Sequence, residues 1–477
     1  MTFRYLTLLL AFIYTIPVFA DQGKPVKIAC LGASICYGYG LEHPETQSYP
    51  AQLGQLLGAG YQVVNYGVSA TTLLKSGDHP YRETPQYKAA LATNPDIVLI
   101  DLGGNDSKLV NRVHLDQYEQ DYKEMISAFR ELPSHPRIIL LQPIVSFEKD
   151  TSGIWDPVIS MQILPKVRQV AYDENLELVN MNALFIGKPT LMPDGIHPKL
   201  DGTTRMAKAL YEVIHPARDT GYSIIPRLPG DPVISSFYGY RCADFTYKGR
   251  NCKVVAPKFA TVGHPWIWRA RFWGTEPQTD IALLERGFYV VYCDVVELFG
   301  NKEAIAAWNN YYALLHKLGL ASKAVMEGMS RGAVYLYNWG IQNPDKIAVV
   351  YADNPVMDLT SWPGSEYKKN MADKSDWEIF KRDYGFTGDS AALAFKGSPL
   401  YHVKEIVKGN YPMLHVLADA DIDLPPVENT LPFEEKVKAL NGNITVMHKP
   451  GFGHHPHSFP DPTPIVDFIL KAMGRLD

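Results

Sequence analysis

From Val26 to about Ile214, short runs of β-branched and aliphatic residues alternate with longer stretches whose apolar positions return every three or four residues. Val26–Leu31, Gln62–Asn65, Ile97–Leu102, Arg137–Leu141 and Leu176–Val179 read as strands. Strands separated by helical patterns imply βαβ units and a parallel sheet. The stretch from His215 to Pro232 loses this periodicity to prolines and glycines and marks a boundary. A second series then begins, with strands expected at Gly249–Ala256, Phe288–Cys293, Ala324–Glu327, Ile347–Tyr351, Met413–Ala418 and Ile444–His448. Helical spacing falls between them at Asp280–Arg286, Glu303–Leu318, Ala333–Ile341, Glu434–Leu440 and Pro464–Met473. Residues 361–409 are more polar and irregular, and they interrupt the series as a lid insertion would. The expected class is α/β, with two three-layer α/β/α domains over 21–216 and 233–477 joined by a linker at 217–232. The halves carry different motifs, so they do not read as a duplication.

With 46% hydrophobic residues in 477, the chain can fill two such cores, which excludes a disordered or low-complexity polymer. Lys and Arg total 46 against 51 Asp and Glu, with no long basic run, so a nucleic-acid partner is not expected. Arg4, the apolar stretch Tyr5–Val18 and the ending Val18-Phe19-Ala20 have the pattern of a secretory signal peptide over residues 1–20. The stretch is short for a ~20-residue span, so no stable membrane span is expected and the mature protein is placed in the periplasm or outside the cell. Cys30, Cys36, Cys242, Cys252 and Cys293 are odd in number and widely spaced, unlike a zinc ligand set, so neither metal nor cofactor is expected. Cys242 and Cys252 share a hairpin and could pair under oxidation, although a turn at Lys248-Gly249 does not set them directly opposite.

In the first half, Lys27–Gly32 runs into the small-residue turn Ala33-Ser34, which would present the Ser34 hydroxyl at the carboxyl edge of the sheet. Gly67 follows the second strand and Asn105 follows the third, on the same edge. Asp194 and His197 then lie three residues apart in Pro193-Asp194-Gly195-Ile196-His197. A serine nucleophile needs an imidazole to take its proton, and a carboxylate to hold the tautomer and stabilise the imidazolium. The oxyanion needs fixed donors, for which the N–H groups of Ser34 and Gly67 and the amide of Asn105 are candidates. Any one of these features alone is an ordinary turn or cap, whereas four in this order form a constellation.

These ordered blocks resemble the SGNH or GDSL-like esterases. The resemblance covers nearly the whole first domain, and it implies a flavodoxin-like parallel sheet and hydrolysis through an acyl-enzyme on Ser34. The first block reads Gly32-Ala33-Ser34-Ile35, where the family usually has acidic and leucine residues beside the serine. The block Leu102-Gly103-Gly104-Asn105-Asp106-Ser107-Lys108 looks most like bacterial carbohydrate O-acetylesterases.

In the second half, Gly328-Met329-Ser330-Arg331-Gly332 sits between an apolar strand and a helical segment. The glycines permit a tight turn that projects Ser330, and the Arg331 N–H can serve the oxyanion. Asp421 follows the Met413 strand and His454 follows the Ile444 strand, giving the order Ser, acid, His. Asp419, Asp423 and Asp353 compete for the acid role, and His455 and His457 for the base. The loop Gly263–Arg269, after a strand ending near Pro257, is expected to supply the second oxyanion donor from Trp266. Trp268, Arg269 and Arg271 are candidates to seat a sugar ring or a uronate carboxylate, or else they pack the sheet edge. This half resembles bacterial α/β-hydrolase esterases associated with polysaccharide breakdown. Together the resemblances imply a two-site carbohydrate esterase acting on an acylated polysaccharide, removing O-acetyl in the first domain and an acetyl, methyl or feruloyl ester in the second. The competing reading keeps one active esterase, with the other domain a glycan-binding or structural module.

Overall fold

The computed structural model describes residues 24–476, so the leader expected over residues 1–20 lies outside the described residues. The first sheet has five parallel strands, β1 (Val26–Gly32), β2 (Tyr61–Asn65), β3 (Ile97–Asp101), β4 (Arg137–Leu141) and β5 (Glu177–Val179), in the order β2-β1-β3-β4-β5. Its central strands are apolar on both sides because helices cover both faces. On β1, Ala29 and Leu31 enter one core while Ile28 and Cys30 enter the other. This is the flavodoxin-like, three-layer arrangement expected from the sequence.

Arg218–Asp219 forms a short β6. It is followed by β7 (Val233–Phe237), β8 (Tyr240–Tyr247), β9 (Arg250–Ala256), β10 (Ala260–Thr261), β11 (Trp266–Arg269) and β12 (Tyr289–Cys293). Then come β13 (Ala324–Met329), β14 (Ile347–Asp353), β15 (Met413–Ala418) and β16 (Ile444–Lys449). Nine of these make one sheet in the order β16-β15-β14-β13-β11-β12-β9-β8-β7. It is parallel from β16 to β12 and antiparallel from β12 through β9 and β8 to β7. The β11–β12 inversion beside β13 and the antiparallel edge are those of an α/β-hydrolase, in agreement with the expected class. Residues between β14 and β15 carry four short helices around a separate aromatic core that includes Trp377 and Phe380.

Two strands of this sheet, β7 and β11, are absent from the sequence reading, and β8 enters it only as one arm of the Cys242–Cys252 hairpin; β11 is the one that bears on the site. Trp266-Ile267-Trp268-Arg269 is short and ends in a charge, which hides it as a strand. The charge is tolerated because the buried Arg269 is ion-paired with Asp280 and with Glu327, whose carboxylate lies 3.4 Å away. The expected Cys242–Cys252 option also fails on register. Cys242 stands opposite Val255 and Cys252 opposite Phe245, and all five cysteines are free thiols.

The segment expected as a linker is docked rather than loose. β6 pairs with β10, Arg218 donates to Val213 O at 2.6 Å and Glu285 O at 3.1 Å, and Tyr222 stacks on His264 with ring centres 3.6 Å apart. Next to it, Arg286 donates from Nε and Nη2 to Glu212 Oε2 at 2.8 and 2.6 Å, tying the helix Leu200–Ile214 to the second half. Glu285 accepts from Asn180 N at 2.8 Å, and burial lifts its carboxyl to about 7. Removing only the cation leaves two buried carboxylates facing each other, which is costlier than replacing the whole pair by apolar groups. Arg286→Met is therefore expected to destabilise the chain by about 3–5 kcal/mol. Arg286→Met combined with Glu212→Leu should recover most of that loss, read as the urea midpoint of the full chain. Equal midpoints for the single and double variants would show that the pair does not hold the halves together.

Candidate active sites

Ser34 opens the short helix Ser34–Tyr37 immediately beyond the carboxyl end of β1, at the sheet edge the sequence indicated. His197 comes from a loop far along the chain, and its Nε2 lies 2.8 Å from Ser34 Oγ. Its Nδ1 donates to Asp194 Oδ2 at 2.6 Å. Asp194 Oδ1 accepts the N–H groups of Ile196 and His197 at 2.9 and 2.7 Å, so a single turn fixes carboxylate and imidazole together. Partial burial opposes the Asp194 charge, but these N–H donors and the imidazole outweigh it and hold the carboxyl below its ordinary value. With Nδ1 committed to a donor bond, Nε2 is left to accept from the serine.

The candidate oxyanion donors stand differently from one another. The Ser34 N–H has no hydrogen-bond partner among the described residues. Asn105 Nδ2 donates one N–H to Thr71 O at 3.0 Å and has a second to offer. The Gly67 N–H is taken up by Asn65 Oδ1 at 2.8 Å. Gly67 has a second constraint, because a Cβ there would come 2.3 Å from Tyr37 N, so the serine helix rests directly on bare backbone. Beside Ser34 lies a cavity of about 30 Å³, walled by Ile35, Ile144, Val145, Ile154, Ile159 and Ile196.

In the second half, Ser330 follows β13 with φ of +49°, a strained turn before the helix Gly332–Gln342. Gly328 makes the turn fit, since a Cβ there would lie 2.8 Å from Ala333 N. His454 Nε2 is 3.0 Å from Ser330 Oγ, and His454 Nδ1 donates to Asp421 Oδ2 at 2.6 Å. Asp421 Oδ1 accepts from Asp423 N and Leu424 N. The competing acids and bases are not the groups bonded into this trio. Asp419 bonds the surface His448, and Asp353 is buried against His457, Tyr351 and Ser458 N. His455 is exposed.

The structure corrects the second oxyanion donor and two of the substrate-binding candidates. Trp266 opens a central strand, level with Ala324 at the start of β13, and so lies about 20 Å along the sheet from Ser330. The loop that reaches the serine is the one leaving β11. There a Cβ on Gly332 would sit 3.9 Å from Arg271 N, and neither Arg271 N nor Arg331 N has a partner among the described residues. Trp268 is fully buried against Trp266, Trp308 and Trp339, and Arg269 is locked in its ion pairs, so neither is available to a sugar. Arg271 pairs with Glu297 at 2.7 Å, while its Nε and Nη1 have no partner among the described residues. Arg331 meets Asp376 of the 361–409 insertion at 2.5 Å and lies over the Trp362 ring. The missed signal was the alternation Trp266-Ile267-Trp268, two apolar side chains to one core and one to the other.

Asp101, at the exit of β3, lines the cavity beside Ser34, and its Oδ2 has no partner among the described residues. Burial lifts its carboxyl to about 7. Because the native state binds this proton more tightly than the unfolded chain does, the associated stability is full below the ordinary carboxylate pKa. It is lost as pH rises through about 7. Asp101→Asn is expected to be more stable than wild type at pH 8, by up to about 4 kcal/mol, with the difference shrinking toward pH 4. Denaturation midpoints at the two pH values check this, and a variant equally destabilised at both would contradict it.

Residues 30–205 match the GDSL-like Lipase/Acylhydrolase family. An acetylxylan esterase of Xylanibacter ruminicola is 37% identical over 213 residues, covering 41% of this chain and 44% of that protein. The chain thus spans less than half the length of this curated relative. Among solved structures, a carbohydrate acetylesterase from Sinorhizobium meliloti is 18% identical with a TM-score of 0.34, over 40% of this chain and 98% of its own. An S-formylglutathione hydrolase from Agrobacterium tumefaciens is 16% identical with a TM-score of 0.37, over 51% of this chain and 99% of its own. Residues 30–205 of this chain are a GDSL-like lipase/acylhydrolase domain.

Proposed function

We propose that the protein is an exported carboxylic ester hydrolase with two serine sites that remove ester substituents from a polysaccharide. The observation that carries this reading is that each serine has its own imidazole and carboxylate within hydrogen-bonding reach. Ser34 stands 2.8 Å from His197, and Ser330 stands 3.0 Å from His454. In each site the imidazole takes the serine proton as Oγ attacks the ester carbonyl, and the carboxylate stabilises the imidazolium. The same imidazole then protonates the departing alcohol, the sugar hydroxyl where an acetyl or feruloyl group is removed and methanol where a methyl ester is cleaved, and a water deprotonated by it releases the acid from the acyl-enzyme. In the first site Ser34 N–H and Asn105 Nδ2 receive the oxyanion, joined by Gly67 N–H when Asn65 releases it. In the second site the receivers are Arg331 N–H and Arg271 N–H.

Acetyl is the acyl group assigned to the first site. The cavity beside Ser34 is small and walled mainly by aliphatic side chains, which suits a short apolar acyl group such as acetyl. The name of the Xylanibacter relative, an acetylxylan esterase, points the same way. For the second site the reading is an acetyl, methyl or feruloyl ester on the same class of glycan. Export rests on the leader pattern; among the described residues no helix is long and apolar enough to cross a membrane.

Ser34→Ala and Ser330→Ala, assayed separately on acetylated xylan and on methyl and feruloyl sugar esters, test the assignment. Each replacement is expected to lower one activity by about 10⁴–10⁶-fold and to leave the other intact. Acetate release should follow Ser34. Loss of every activity through one replacement would reduce the protein to a single working site, and acetate release independent of Ser34 would overturn the first assignment.

A further inference from the structure

His454, His455 and His457 come from one short loop, and one nitrogen of each lies within 4.8 Å of the others. The three ring centres are 4.8 to 5.0 Å apart. Among the described residues no other trio of potential metal ligands is so gathered. Two of the three rings are already oriented from behind. His454 Nδ1 is held by Asp421 at 2.6 Å, and His457 Nδ1 by Asp353 at 3.0 Å. A carboxylate on one imidazole nitrogen leaves the other with its lone pair exposed and more basic, which is the arrangement that supports histidines bound to metals. Both carboxylates are buried, and they differ in charge balance: Asp353 is ion-paired with the buried Lys449 at 3.6 Å, whereas Asp421 has no Lys or Arg partner among the described residues, so the negative charge behind the rings comes from Asp421.

Zinc bound to imidazoles at about 2.0–2.1 Å in a tetrahedral shell needs its ligand nitrogens roughly 3.4 Å apart. The ligand nitrogens would have to draw together by up to about 1.4 Å by that geometry, and His455 is the one exposed ring of the three. An all-imidazole set favours zinc, copper or nickel over magnesium or calcium. We propose that His454, His455 and His457 bind a divalent transition-metal ion of the zinc class, and that the bound ion takes His454 Nε2 away from Ser330. The Nε2 lone pair either accepts the Ser330 Oγ–H or ligates the ion; it cannot do both. Filling the site therefore silences the second serine and leaves the first untouched. Metal binding stands on the imidazole geometry alone, whereas the silencing rests on the proposed role of Ser330.

The test uses the full chain purified with chelator and then freed of it. Zinc sulfate titrated calorimetrically should show one tight site. His455→Ala should weaken that site by about 10- to 100-fold, and Ser330→Ala should leave it unchanged. In parallel, a fluorophosphonate probe is followed by peptide mass spectrometry at both serines. Zinc should slow labelling of Ser330 at least tenfold, reversibly with chelator, while labelling of Ser34 in the same tube is unaffected. His455→Ala should label at Ser330 as wild type does and resist the zinc effect. Zinc affinity unchanged by His455→Ala overturns the site, as does binding too weak to saturate. Tight binding that leaves Ser330 labelling untouched overturns the coupling. If Ser330 does not label even without metal, the esterase reading of that serine fails, and calorimetry still decides whether the metal site exists.

Discussion

A serine hydroxyl becomes a nucleophile only when an imidazole is held with the correct nitrogen facing it, and in both halves of this protein that orientation is set from behind. Asp194 fixes His197 and Asp421 fixes His454, each through a 2.6 Å bond to Nδ1. The surrounding architecture follows from delivering three side chains to one point. A parallel sheet sends every strand out at the same edge, so residues distant in sequence meet there. Ser34 leaves β1 and Asn105 follows β3, while Asp194 and His197 share one turn. In the second sheet the serine, acid and base leave β13, β15 and β16 in chain order.

The two carboxylates are held by the same turn pattern in different surroundings. Asp194 is half exposed and kept ionised by N–H donors within its own turn. Asp421 is buried and satisfied by two backbone N–H groups of its loop. Both accept from the N–H groups two and three residues ahead, so each carboxylate is fixed by its own turn. They differ in exposure and in reach: Asp194 holds an imidazole from its own turn, whereas Asp421 holds one delivered by the loop after β16.

Most of the fold was legible because strands buried on both faces are continuous apolar runs, and because turns carrying serine, glycine and asparagine punctuate them. Ser34, Asp194 and His197, and Ser330, Asp421 and His454, which the structure gathers into two hydrogen-bonded trios, could be picked out as candidates from chain order and loop position, since each follows a recognisable strand or lies in a compact motif. The edge strand β7 was missed, and so, with more consequence for the site, was β11. Its terminal Arg269 reads as a surface charge in the sequence, and only tertiary structure supplies the Asp280 and Glu327 carboxylates that make it a core residue. Losing that strand moved the candidate oxyanion loop one strand too early and turned the buried Trp268 into an imagined sugar platform. The docked segment 217–232 was missed for a related reason: prolines and glycines signal the end of periodic structure but do not reveal that Arg218 and Tyr222 find partners across the boundary.

The bare backbone at Gly67 and the isoleucine-rich wall beside Ser34 divide the first site into a fixed part and a variable part. Gly67 carries the serine helix at a distance that leaves no room for another atom, so no side chain can be introduced there without lifting the helix. Ile154, Ile159 and Ile196 instead come from segments outside the strands, where trimming a side chain leaves the sheet register untouched. Efforts to retune acyl length by directed diversification would therefore start from the wall, and a library built around the glycine would yield mostly inactive clones.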